Sequence, residues 1–266
     1  MSTIFRDLKI WGDRILECRN PLLWASALNY DLQRIRLLEL ATKQPTSIMT
    51  SYMREIEDDK ELISQLRSRL AQWTYYRPRA VDFMMSGQSG SVFFNEVTLY
   101  AIVRACRPEV MIETGGTPGK STAFILRAME RNGMGHLYTI DLPPTPVSES
   151  KLTQRGQYHE VRPSGSSSNW IVPDSLRQRH TLLLGKSSEH LTPLLEKVGA
   201  VDIFLHDSDH SYENMTWEFE TAMPRIKPGG LLLSDDVLAN TSFFDYCRKT
   251  QLQYAHVFNL GAARVR

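Results

Sequence analysis

The sequence predicts an α/β protein: a doubly wound, mostly parallel sheet behind an N-terminal helical extension. Three observations lead there. Up to about residue 85, apolar residues recur at three-and-four spacing (Ile4, Leu8, Trp11, Ile15; Leu28, Leu32, Ile35; Leu62, Leu66, Leu70, Trp73), the period of amphipathic helices. From about residue 110, short apolar runs alternate with amphipathic stretches, which implies right-handed crossovers and a sheet covered on both faces. The chain closes on two short alternating segments, read as an antiparallel hairpin.

In order, residues 1–90 read as a helical cap or oligomerisation region, since a one-faced helix must bury that face on a neighbour or on a second copy. A homodimer through these helices is one expectation. Pro45 and Pro78 punctuate the region, and a Gly/Ser stretch, Ser86 to Ser91, ends it. Residues 91–266 form the α/β part. After a helix from about Glu96 to Cys106, strands are expected at Val110–Thr114, His136–Asp141, His180–Leu184, Val201–His206 and Leu231–Ser234. Helices fall between them at about Lys120–Glu130, Ser187–Val198 and Tyr212–Met223. Asn240 or Thr241 caps a short helix through about Lys249, and the hairpin runs over Tyr254–Phe258 and Ala262–Val265. Residues 143–178, rich in Pro and Ser, are too long for an ordinary connection and read as a lid or substrate loop, with Trp170 and Pro173 anchoring the far end.

Composition excludes several classes. Lys and Arg number 31 against 30 Asp and Glu, a balance that argues against nucleic-acid or membrane-surface binding by bulk charge. With 42% hydrophobic and 23% charged residues over 266 positions, the chain is globular and long enough for a full core. Cys18, Cys106 and Cys247 are odd in number and share no ligand spacing, so neither a disulfide framework nor a structural zinc site is expected. Charges every few residues at the start and the lack of any long apolar window predict a cytoplasmic protein without a membrane span.

In sheets of this kind ligands sit at the carboxyl ends of the strands, so the residues after each apolar run carry the chemistry. The first strand runs into Glu113-Thr-Gly-Gly-Thr-Pro-Gly-Lys-Ser-Thr122, where Gly115, Gly116 and Gly119 free the backbone to approach a ligand. A phosphate-binding GxxxxGK[ST] loop would need glycine where Thr114 stands, and GxGxxG fails because Gly115 and Gly116 are adjacent. A carboxylate at the first strand end, a glycine loop and Asp141 at the next strand end fit a nucleoside whose ribose hydroxyls a carboxylate accepts.

Five segments together, VMIETGGTPGKST, HLYTIDLP, LLLGKSSEHL, VDIFLHDSDHSYE and PRIKPGGLLLSDDV, resemble the class I S-adenosylmethionine-dependent methyltransferases over roughly residues 94–250. The resemblance implies a Rossmann-like, seven-stranded sheet. It also implies that Glu113, Gly115, Gly116 and Gly119 line the methionine and ribose part of the cofactor, that Asp141 holds the ribose hydroxyls, and that Gly185, Lys186 and Ser187 flank the adenine. The Gly-Gly-Thr-Pro-Gly order departs from the commoner ExGxGxG form.

The fourth strand leads into His206-Asp-Ser-Asp-His-Ser-Tyr-Glu213 and the fifth into Ser234-Asp-Asp-Val237. Carboxylates this close repel unless a cation, a base or protonation compensates, and an oxygen-rich set suits Mg²⁺ or another hard divalent cation. The chain here resembles metal-dependent O-methyltransferases, including catechol-type enzymes and those acting on sugars of macrolide antibiotics (macrocin O-methyltransferase-like). That resemblance implies Asp207, Asp235 and Asp236 as metal ligands and His210 as general base, with Asp207 shared between catalysis, cofactor and metal. Members without metal use such acidic residues to position the cofactor amine. Asp209 is expected to cap the helix near Tyr212.

The leading expectation is therefore S-adenosylmethionine-dependent O-methylation of a small molecule, a sugar or natural-product hydroxyl, with Mg²⁺ assistance left open. A methyltransferase-like enzyme catalysing cyclisation, elimination or hydroxylation is the alternative, followed by a P-loop nucleotide binder and a non-catalytic scaffold.

Overall fold

A computed structural model describes residues 21–71, 94–143 and 166–266. The expected helical positions Ile4 to Ile15 and Trp73, together with Cys18, Pro78, Ser86 to Ser91 and residues 144–165, lie outside the described residues. Three helices come first: α1 (Pro21–Thr42), α2 (Thr46–Glu57) and α3 (Lys60–Leu70). Then follow α4 (Phe94–Cys106), β1 (Val110–Thr114), α5 (Lys120–Asn132), β2 (His136–Asp141), a 3-10 turn (Asp174–Arg179) and β3 (His180–Leu184). The second half holds α6 (Ser187–Val198), β4 (Val201–His206), α7 (Tyr212–Ala222), β5 (Ile226–Ser234), α8 (Ser242–Lys249), β6 (Gln253–Val257) and β7 (Leu260–Arg264).

The seven strands form one sheet in the order β3-β2-β1-β4-β5-β7-β6. β1 to β5 pair in parallel and β7 runs antiparallel to β5 and β6. Alternation along the strands explains the two layers of helix. Met111, Ile203, Leu205, Leu231 and Leu233 point to one face and join α1 to α5. Ile112, Phe204 and Leu232 point to the other and join α6, α7 and α8. The N-terminal helices thus complete the first layer: α1 packs on β6, β7 and α4, and α2 packs on α4. Buried Leu37, Leu38, Ile56, Leu62 and Leu66 belong to the same core as β1 and β4.

The chain walks outward from β1 to β3 and then returns to β4 on the other side of β1. Between β1 and β4, neighbouring connections leave toward opposite faces, and the crevice this opens is where such sheets bind ligands. Two expectations need correction. β5 starts at Ile226 instead of Leu231, because the Pro228-Gly229-Gly230 stretch stays in the strand across a register shift against β4. α7 is capped by Ser211, whose side chain accepts the Asn214 amide at 3.3 Å; Asp209 instead accepts the Ser211 amide at 2.9 Å.

Candidate active site

The glycine loop between β1 and α5 is packed from three sides by its own chain. A side chain at Gly115, at φ +75°, would place its Cβ 1.9 Å from the Asp207 carbonyl oxygen, so only glycine fits between the ends of β1 and β4. At Gly116 a Cβ would lie 2.6 Å from both the Asn169 Oδ1 and the Thr139 methyl. Glu113 lies beneath the loop, fully buried, accepting hydrogen bonds from Ser121 (2.5 Å), Thr122 (2.7 Å) and Thr139 (2.9 Å). Burial raises its pKa to about 7, with the three hydroxyls pulling the other way. Those hydroxyls hold the Glu113 carboxylate against the start of α5, where it braces the loop from below. Asp141 accepts from the Thr117 hydroxyl and, at 2.9 Å, from the Leu142 amide. Its carbonyl accepts the Gly185 amide at 2.9 Å, tying the ends of β2 and β3 together. Lys186 follows, its amide bonded to Glu189, and Ser187 opens α6. Lys120 pairs with Glu96 at 3.2 Å.

The second half lies at the ends of β4 and β5. His210 stands between two carboxylates, with Nε2 3.7 Å from Asp207 and Nδ1 3.7 Å from Asp236. Burial disfavours a charged imidazole here, but Asp207 first and then the charges of Asp236 and Asp235 outweigh it and push the pKa up to about 9. Asp207 is raised well above the usual carboxylate range by burial and by Asp235, and Asp235 is raised to about 6 by burial and by Asp236. Asp235 accepts the Asn95 amide at 3.0 Å, and Asp236, in the left-handed region at φ +48°, accepts the Asn259 amide. Behind them the buried Glu218 gathers Thr114 (2.6 Å), His206 (2.7 Å) and Ser208 (2.6 Å). Burial opposes its charge, yet His206 first and then Ser187 and Ser208 hold its pKa down to about 2.

Among the described residues, no group of three or more His, Cys, Asp or Glu side chains converges as a metal site. Asp207, Asp235 and Asp236 do meet at adjacent strand ends. They spread toward His210, Asn95 and Asn259 instead of toward one point.

Comparison with solved structures finds an O-methyltransferase from Bacillus cereus, in complex with SAH, at 14% identity and TM-score 0.50, covering 79% of this chain and 92% of that one. A methyltransferase from Podospora anserina, SAH-bound, matches at 14% identity and TM-score 0.50 over 77% of this chain and 86% of that one. At these identities the likeness is one of fold. No curated protein matches the chain. Residues 112–237 match the family described as "Methyltransferase domain". The stretch that runs from β1 past β5 is thus similar to a methyltransferase domain.

The methyltransferase sheet brings the sequence-derived residues into two neighbouring groups. Glu113, Gly115, Gly116, Gly119, Asp141, Gly185, Lys186 and Ser187 lie at the ends of β1 to β3; Asp207, His210, Asp235 and Asp236 lie at the ends of β4 and β5. Gly115, seated on the Asp207 backbone, joins them. Sequence reasoning missed Glu218, Asn95 and Asn169. Glu218 sits 104 residues from its Thr114 partner and Asn95 sits 140 from Asp235, so no local pattern marks either. No helix among the described residues is long and apolar enough to cross a membrane.

Proposed function

We propose that this methyltransferase moves the methyl group of S-adenosylmethionine to a hydroxyl oxygen of a small molecule. The observation that carries the reading is contact between the two halves of the site: the glycine loop rests directly on Asp207, three residues from His210. The residues fit the cofactor. Asp141 would take the ribose hydroxyls, exposed Leu142 and Leu184 at the ends of β2 and β3 would face the purine, and α5 begins at Gly119 without a side-chain cap, leaving amides for the amino-acid end. Gly185, Lys186 and Ser187 would border the base, while Glu113 supports the loop from below.

S-adenosylmethionine supplies a sulfonium methyl that is already electrophilic, so the protein's part is alignment, exclusion of water and removal of the acceptor's proton. His210 is the group placed to take that proton. Asp207 and Asp236 raise its pKa to about 9 and so favour the imidazolium, and it acts as a base once that proton has gone to solvent. As the acceptor oxygen bonds the methyl carbon, the carbon–sulfur bond breaks, S-adenosylhomocysteine leaves, and the acceptor proton ends on the imidazole.

The residues present do not fit Mg²⁺ in this arrangement. Asp235 and Asp236 are each bonded to an asparagine amide, and the His210 imidazole occupies the space between Asp207 and Asp236. The solved structure from Bacillus cereus is named an O-methyltransferase, which agrees with oxygen as the acceptor atom.

Calorimetric titration with S-adenosylmethionine and S-adenosylhomocysteine, followed by mass spectrometry of hydroxylated candidate acceptors, tests the proposal. Binding and a product heavier by one methylene are expected. Turnover with an acceptor mass that is unchanged, reduced or raised by one oxygen would point to the non-methylating alternative.

A further inference from the structure

Asn169 is fully buried, sits in the left-handed region at φ +55°, and has no hydrogen-bond partner on either its Oδ1 or its Nδ2. Leaving a buried carboxamide unpaired at both ends is unfavourable, so its place needs a reason. The amide is held in position with care. Ser168 donates to the Leu142 carbonyl at 2.8 Å, the Ile171 amide to the Pro118 carbonyl at 3.2 Å, and Arg177 to the Asn169 carbonyl at 2.9 Å. Arg69 at the end of α3 clasps the Val172 carbonyl at 2.9 Å and those of Ile171 and Trp170 at 3.3 and 3.4 Å. All of these bonds fix the backbone of the segment around Asn169. None satisfies its side chain, which faces Gly116 and Thr139.

We infer that the Asn169 carboxamide binds the amino-acid end of the cofactor, its oxygen accepting from the α-ammonium and its NH₂ donating to the α-carboxylate. This rests on the cofactor reading above. Three observations favour that end over the base. Asp141, the ribose group, is flanked on one side by exposed Leu142 and Leu184 and on the other by Thr117 of the glycine loop. A purine belongs with the leucines, so the 5′ substituent extends toward the glycine loop. Asn169 lies on that side, directly under Gly116. A carboxamide offers one donor and one acceptor side by side, the complement of a zwitterionic α-amino acid. Gly116 covers the amide, and the absence of a side chain there leaves only backbone to shift as the ligand settles.

The test measures S-adenosylhomocysteine affinity in the full-length protein for wild type, Asn169→Gly, which keeps the left-handed backbone free of strain, and Asn169→Asp, which keeps the shape. The second ligand is 5′-methylthioadenosine, with the same base, ribose and thioether but no amino-acid end. Both variants should lose about tenfold to a hundredfold for S-adenosylhomocysteine, Asn169→Asp the more because it sets carboxylate against carboxylate. Affinity for 5′-methylthioadenosine should stay within about twofold. Unchanged S-adenosylhomocysteine affinity in either variant overturns the inference. Equal losses for the two ligands overturn it as well, since they mean a damaged loop. Failure of the wild type to bind S-adenosylhomocysteine removes the cofactor reading itself and this inference with it, and is seen before any variant is made.

Discussion

At the ends of β1 and β2, Glu113 meets three hydroxyls, and Asp141 meets one hydroxyl and one amide. At the ends of β4 and β5, Asp207, Asp235 and Asp236 share one imidazole and two side-chain amides. The first half satisfies its carboxylates one at a time with neutral donors, so its geometry stands without a ligand. The second half gathers negative charge around His210 and balances it with a proton. A rigid cradle beside an electrostatically loaded pocket is a division of labour suited to holding one reactant and activating another.

Four experiments bear on that division. His210→Gln should break the loaded half alone: turnover on a hydroxyl acceptor is expected to fall by about 10² to 10⁴ with S-adenosylhomocysteine affinity unchanged, and a matching loss of affinity would mean the halves are not separate. Asp141→Ala should break the cradle alone, weakening S-adenosylhomocysteine by roughly a hundredfold in a titration; unaltered binding would remove Asp141 from the ribose role. Glu113→Gln sharpens the comparison through pH. Glu113 binds its proton more tightly in the fold, with its pKa raised from 4.5 to about 7. Its contribution is therefore whole below about pH 4.5 and declines as pH rises through about 7. Over that window the wild-type melting temperature should fall by several °C relative to the glutamine variant, at about 2–4 °C per kcal/mol; parallel curves would show that Glu113 does not titrate there. The smallest effect is expected from a chelator, which should leave methyl transfer unaltered. Loss of activity restored by Mg²⁺ would show that the acidic half rearranges around a cation.

Much of the frame was legible because the central strands are buried on both faces. Val110–Thr114, His136–Asp141 and Val201–His206 are short, mostly buried runs ending in polar residues, and they and the half-buried edge strand His180–Leu184 have the expected bounds. Ser187–Val198 matches for the same reason, its apolar face being set by period. The first residues of β5 were hidden by Pro228, Gly229 and Gly230, which read as a turn yet pair across a bulge. In the site, spacing along the chain exposed the carboxylates but not their partners. Glu218 reads as one more charge on α7, and only folding reveals it as the acceptor for β1 and β4. Asn169 carried no signal because its neighbours, Gly116 and Thr139, lie far away in sequence.

The grip of Arg69 on three carbonyls of the 170–172 segment has a practical corollary for anyone dissecting the chain. A fragment cut at residue 90, where composition suggests a seam, would discard that guanidinium along with the Leu37, Ile56 and Leu66 side chains that complete the first helical layer. The recombinant piece would carry the whole methyltransferase signature, residues 112–237, and still lack the clasp that presses residues 169–172 against the glycine loop. Sequence similarity marks residues 112–237; the helical layer packed against them begins well upstream.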